Sequence, residues 1–268
     1  MKIGVFDSGL GGLTVLDALL DELPDHDYVY LGDTARAPYG NRPSQEVEGF
    51  TIEAVEFLVR QSCNIVIIAC NTASSEALRV IQQQVVPAKF PEIKVLGVLI
   101  PSAEAVHEKH YQTVGVIGTV GTISSGAYER EIKKINHQTE VIVSACPNLA
   151  GLIESGSLDS KEVREELKIC LAPIVEGGAE ALILGCTHYP LAIKEIEAAL
   201  PETVDIINSP ESIARSFKSY LERHPEIASK ISRFGSVQYF TSGSAKDFRE
   251  QGCKFMKNKM DVVKWVKI

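Results

Sequence analysis

The chain has 268 residues, of which 45% are hydrophobic, so it can bury one large core or two medium ones and does not read as a disordered polymer. Its formal net charge of −8, with no Lys/Arg cluster before the final stretch, disfavours a phosphate-backbone partner, so no nucleic acid is expected.

The N-terminus, Met1 to Asp7, runs straight into a strand-like pattern. It carries neither a signal-peptide core nor a spanning segment of about twenty apolar residues, so a cytoplasmic protein with no membrane partner is expected. Runs rich in Ile and Val recur near 3–6, 28–31, 64–69, 94–98, 113–117, 140–144, 180–184, 204–207 and 236–240. Helix-period segments separate most of them, which predicts an α/β fold with mainly parallel strands. Leu13, Leu16, Leu20 and Leu23 mark the first helical face, ended by Pro24. Val47, Phe50, Ala54, Phe57 and Leu58 mark the second, and Ala73, Ala77, Val80 and Ile81 the third. A second series starts at Val114, carries a long helix with Val163, Leu167, Leu171 and Ile174, and closes at Cys186.

In both series a cysteine ends the third strand, Cys70 in one and Cys186 in the other. The expectation is two similar lobes, each a mainly parallel sheet flanked by helices, with a cleft between them. Residues 1–98 plus 210–268 would form a discontinuous first lobe and 99–209 the second. The breaks at Pro87, Pro91 and Pro101, and Asn208-Ser209-Pro210, mark the crossings. The last stretch, Lys254 to Ile268, holds five lysines among scattered apolar residues. It reads as a solvated helix turn and an edge strand in preference to a membrane-surface segment.

Open α/β sheets place ligands beyond the carboxyl ends of their strands, so the loops there are the candidate site. Asp7-Ser8-Gly9-Leu10-Gly11-Gly12 opens the first helix without completing a dinucleotide fingerprint. A carboxylate at its mouth suits an ammonium group better than a phosphate. Gly32 to Gly40 is too long for a turn and offers Tyr39 and the backbone of Gly40. A lone buried cysteine reads as a small hydrophobe. Two at equivalent strand ends, each followed by polar residues, Asn71-Thr72 and Thr187-His188, predict a pair of thiols activated at helix starts beside an anion site. His26, His107, His110, His137 and His224 read as surface residues. The six cysteines, irregularly spaced and with no C-x-x-C pair, argue against a disulfide framework and a structural metal site.

These motifs, together with Ala69 to Ala73, Gly118-Thr119 with Thr122, Gly185 to Pro190 and Phe240-Thr241-Ser242, resemble those of the glutamate racemases in the aspartate/glutamate racemase superfamily. The resemblance implies cofactor-independent interconversion of L- and D-glutamate, supplying D-glutamate for peptidoglycan, and a homodimer. It places substrate contacts at Asp7, Ser8, Tyr39, Gly40, Asn71, Thr72, Thr119, Thr122, Thr187 and His188. It places the two bases at Cys70 and Cys186, the first assisted by Asp7, the second by His188 and Glu154. The chain departs from the family pattern at Ile100-Pro101-Ser102, at Leu149 to Ile153 and at Asn208. An aspartate racemase of the same superfamily and a glutamate-binding protein without turnover stay open as alternatives.

Overall fold

A computed structural model describes residues 1–156, 158–258 and 260–268. Lys259, inside the lysine-rich last stretch, lies outside the described residues. Among the described residues ten strands form: β1 (Lys2–Asp7), β2 (Tyr28–Gly32), β3 (Cys63–Ile68), β4 (Lys94–Gly97), β5 (Thr113–Gly118), β6 (Glu140–Ala145), β7 (Ala181–Gly185), β8 (Asp205–Ile207), β9 (Val237–Thr241) and β10 (Val263–Trp265). They make two parallel sheets, ordered β10-β9-β2-β1-β3-β4 and β6-β5-β7-β8. Strands β2 and β7 are buried at every position and β1 at all but its first, as strands covered on both faces must be.

Helices fill both faces of the larger sheet. Helix Ser44–Arg60 turns Val47, Ala54, Val55 and Leu58 onto Phe6, Val29 and Val66. On the other face, helix Leu13–Glu22 buries Leu13, Leu16 and Leu19 against Ile3, Val5 and Tyr30. That core continues through Leu99, Ala103 and Val106 to Val114, Val116 and Ile183 of the smaller sheet, so the two lobes share apolar packing behind the cleft. The chain leaves the larger sheet after Gly97 and returns from the smaller one after Ile207. Among the described residues no helix is long and apolar enough to cross a membrane.

Three expectations need correction. Cys146, after β6, and Cys170, on helix Lys161–Glu176, form a disulfide with their Cα atoms 5.5 Å apart. Their spacing conceals this because the helix folds back over β6 and brings two distant core positions together. His26 is 5% exposed, with neither ring nitrogen hydrogen-bonded among the described residues, because its turn lies beside Leu221, Pro225 and Ala228. The last stretch does end in an edge strand, β10, with Lys254, Lys257, Asn258, Asp261 and Val262 exposed before it, but its approach is only partly solvated. Phe255, Met256 and Met260 are buried there without any helical period.

Candidate active site

Both cysteines stand where a strand ends at the cleft. Beyond β3, Cys70 leaves the strand with extended backbone and caps the short helix Asn71–Glu76, its sulfur accepting from the Ala73 N–H at 3.5 Å. Its thiol donates to Ser8 Oγ at 3.5 Å, which ties it to the loop after β1. Beyond β7, Cys186 enters a turn whose His188 Nδ1 lies 3.6 Å from the sulfur. The far nitrogen of that ring, Nε2, is 2.7 Å from Glu154 Oε1, at the end of helix Leu149–Glu154. Phe255 meets the imidazole edge to face, ring centroids 5.7 Å apart.

Asp7 joins the two halves. It is fully buried; its Oδ2 accepts from the Gly9 N–H at 2.9 Å and its Oδ1 from the Thr187 hydroxyl at 3.3 Å across the cleft. Thr14 Oγ1 also crosses, donating to the Thr187 carbonyl at 3.2 Å. These contacts need a bare backbone at Gly11, where a Cβ would stand 2.3 Å from Thr187 Oγ1. Thr72, Thr119 and Thr122 bring three hydroxyls together from the two lobes, at separations of 2.9, 3.2 and 3.0 Å. Gly40 is locked to the opposite lobe by the Gly121 N–H, which donates to its carbonyl at 2.8 Å.

Two residues behave differently from the sequence reading. The Tyr39 hydroxyl is committed to Asp33, donating to its Oδ2 at 2.5 Å. Asp33, also fully buried, accepts in addition from Arg36 Nε at 2.6 Å and from Ser242 Oγ at 2.5 Å. It anchors the loop that carries Tyr39 and Gly40. The Cys70 thiol is not activated by its helix start. Burial first, and then the Asp7 carboxylate, push it up to about 12, outweighing the hydrogen bonds from Ser8 and from the Ala73 N–H of the helix.

The second half is charged differently. Burial alone would lower the His188 imidazole, but the Cys186 sulfur and Glu154 raise it well above its ordinary 6.5. Burial pushes Glu154 up, and its hydrogen bond to His188 and that ring's charge bring it to a net position below the usual 4.5. Both directions describe an imidazolium–carboxylate pair beside one sulfur. Burial raises Asp7, opposed by His188 and by hydrogen bonds from Gly9, Gly12 and Thr187. The arrangement sets a neutral thiol in one lobe and a sulfur beside a cation in the other.

The family model for Asp/Glu/hydantoin racemases matches residues 7–216. The chain belongs to this racemase family. It is 39% identical over 259 residues to the glutamate racemase of Geobacter metallireducens, covering 96% of this chain and 93% of that one. With the Oceanobacillus iheyensis glutamate racemase it shares 40% identity over 251 residues, covering 93% and 89%. Among solved structures, the glutamate racemase isoform RacE1 of Bacillus anthracis superposes with a TM-score of 0.90 at 36% identity, covering all of this chain and 97% of that one. The glutamate racemase of Francisella tularensis, solved in complex with D-glutamate, gives 0.89 at 33% identity over 99% and 97%. The racemase fold extends to an aspartate racemase of Picrophilus torridus, at a TM-score of 0.56 and 18% identity over 83% and 95%, a likeness of fold alone. The enzyme is thus an isomerase, an amino-acid racemase.

Proposed function

We propose that this racemase interconverts L- and D-glutamate without a cofactor, using Cys70 and Cys186 as bases on opposite faces of the α-carbon. The observation that supports this reading is that the neighbours of one buried carboxylate reach both sulfurs: Asp7 accepts from Thr187 across the lobes, Cys70 donates to Ser8 next to it, and Cys186 lies by His188, whose charge acts on Asp7. The four glutamate racemases named above, at 33–40% identity, support glutamate as the substrate.

The chemistry follows from the charges. An amino acid α-proton is weakly acidic, so the carbanion-like transition state needs fixed donors and a nearby cation. The substrate ammonium sits by Asp7 and Ser8, and its α-carboxylate by Asn71, Thr72 and Thr187. In the L-to-D direction Cys186, beside the His188 imidazolium, takes the proton, and the neutral Cys70 thiol returns one to the other face. In the D-to-L direction the roles exchange, the substrate ammonium offsetting the Asp7 charge that holds Cys70 neutral. Tyr39 and Gly40 bound the pocket through their backbone, and Thr119 and Thr122 through their hydroxyls. The product D-glutamate serves peptidoglycan synthesis in the cytoplasm, and the enzyme works as a homodimer.

Incubation of the purified protein with L-glutamate in deuterium oxide tests the reading. The expected result is D-glutamate carrying deuterium at the α-carbon; no exchange would leave a binding protein, and exchange with aspartate alone would move the substrate. Cys70→Ser and Cys186→Ser are each expected to abolish racemisation, by at least about 10²-fold, in a polarimetric assay. Racemisation at the wild-type rate by either variant would refute the two-base scheme.

A further inference from the structure

Tyr128 lies outside all of the motifs above, yet it touches the residues next to both catalytic cysteines. It is carried by helix Ala127–Ile135 of the second lobe and is 2% exposed. Its ring lies on Gly185, the residue before Cys186, where an added Cβ would stand 3.1 Å from Cε2. Its hydroxyl crosses to the first lobe and donates to Oδ1 of Asn71, the residue after Cys70, at 2.6 Å.

An amide has an accepting end and a donating end of nearly the same shape, and its partners decide which way it faces. Burial raises the Tyr128 phenol far above its ordinary range, so it stays a neutral donor at any working pH. A donor bound at Oδ1 leaves the NH2 end of Asn71 as the free one. Among the described residues nothing accepts from that nitrogen. An anionic group in the cleft is therefore met by N–H and not by C=O.

We propose that Tyr128 is a positioning residue for the substrate α-carboxylate, holding the Asn71 amide with its donor end toward the cleft, and doing so only while the lobes are closed. The proposal rests on the glutamate-racemase reading given above. Since the hydrogen bond spans the two lobes, separating them releases the amide to rotate, and closing them restores one orientation. Carboxylate recognition and lobe closure then reinforce each other, because a ligand that needs the oriented amide binds the closed form better.

Tyr128→Phe in the full-length enzyme removes a single oxygen and keeps the ring on Gly185. The expected change is a fall in kcat/KM on the order of tenfold for both L- and D-glutamate, carried mainly by a higher KM, as befits a lost contact to a charged group. Asn71→Ala is expected to lose at least as much, and adding Tyr128→Phe to it to cost nothing further. A role confined to packing would lower the thermal midpoint and leave KM alone, which would overturn the proposal. So would kcat/KM within twofold of wild type in Tyr128→Phe, or losses that multiply in the double variant. Wild-type protein that incorporates no deuterium from solvent would overturn the racemase reading and this proposal together. Active wild type with an unaffected Tyr128→Phe variant overturns the proposal alone.

Discussion

His188 sits between a sulfur and a carboxylate, and both pull its proton equilibrium upward. Because the folded pKa exceeds the unfolded one, the pair contributes stability that is fully present below about 6.5 and is lost as pH rises through the folded value. Glu154→Gln keeps an acceptor and removes the charge, so that loss should be smaller and complete at lower pH. Thermal midpoints measured from about pH 6 to about pH 9 would register the difference. Superimposable curves for the two proteins would mean that Glu154 does not hold the imidazolium. The residues in contiguous strand-end motifs, Asp7, Cys70, Asn71, Cys186 and His188, are legible in the sequence because each motif is local. Asp33, Tyr128 and Phe255 are not. Nothing separates a carboxylate that anchors a loop, or an aromatic that grips an amide, from an ordinary helix or loop residue until the chain is folded.

Among the elements, the loop after β1 is the part that must fit most closely. Besides the clash at Thr187, a Cβ on Gly11 would come within 2.7 Å of the His188 ring. Gly11→Ala needs no unusual backbone, so the variant should fold while its methyl group keeps the lobes apart. Its kcat/KM is expected to drop by at least about 10²-fold with a nearly wild-type thermal midpoint, since small misplacements of paired reacting groups are that costly. Activity near wild type would show that the lobes turn over without this approach. All nine Ile- and Val-rich runs appear as strands, and those at the centre of the sheets, β1, β2 and β7, are buried on both faces, which demands apolar residues throughout. Helical continuity is harder to foresee. After Cys70 the helix Asn71–Glu76 breaks at Ala77, resumes over Leu78–Val80 and passes into a π-helical segment, Ile81–Val85, and breaks of that kind leave the apolar spacing intact. In the first helix the buried position is Leu19 and Leu20 is half-exposed, a one-residue rotation that tertiary packing decides.

At the level of the whole molecule, the closed cleft poses a problem of access. Cys70, Asn71, Thr72, Cys186, Thr187 and His188 are each below 10% exposed, so a substrate enters only if the lobes part. The two lobes share one apolar core, and an ion pair between the exposed Arg79 and Glu131 spans them. Such a pair is worth little in water and presents a small barrier to opening. If opening limits turnover, added sucrose should lower kcat in proportion to solvent viscosity, and the effect should fade in Glu154→Gln, where chemistry becomes slower. A viscosity-independent kcat in the wild type would place the limit in proton transfer. That two related lobes exist is legible from the recurring strand, loop and cysteine. How they face one another is not, since it depends on Leu99, Val106 and Ile213 meeting in one core from distant parts of the chain.

The two sheets repeat one strand order, β2-β1-β3-β4 in one and β6-β5-β7-β8 in the other, yet they surround their sulfurs with unlike company. Enantiomers are equal in energy in an achiral solvent, so their equilibrium constant is unity. Catalytic efficiency must then be the same in both directions, however lopsided the machinery. What the imbalance can do is trade grip for speed: the hand with the lower Michaelis constant is the one converted more slowly, and the ratio of the two turnover numbers equals the ratio of the two Michaelis constants.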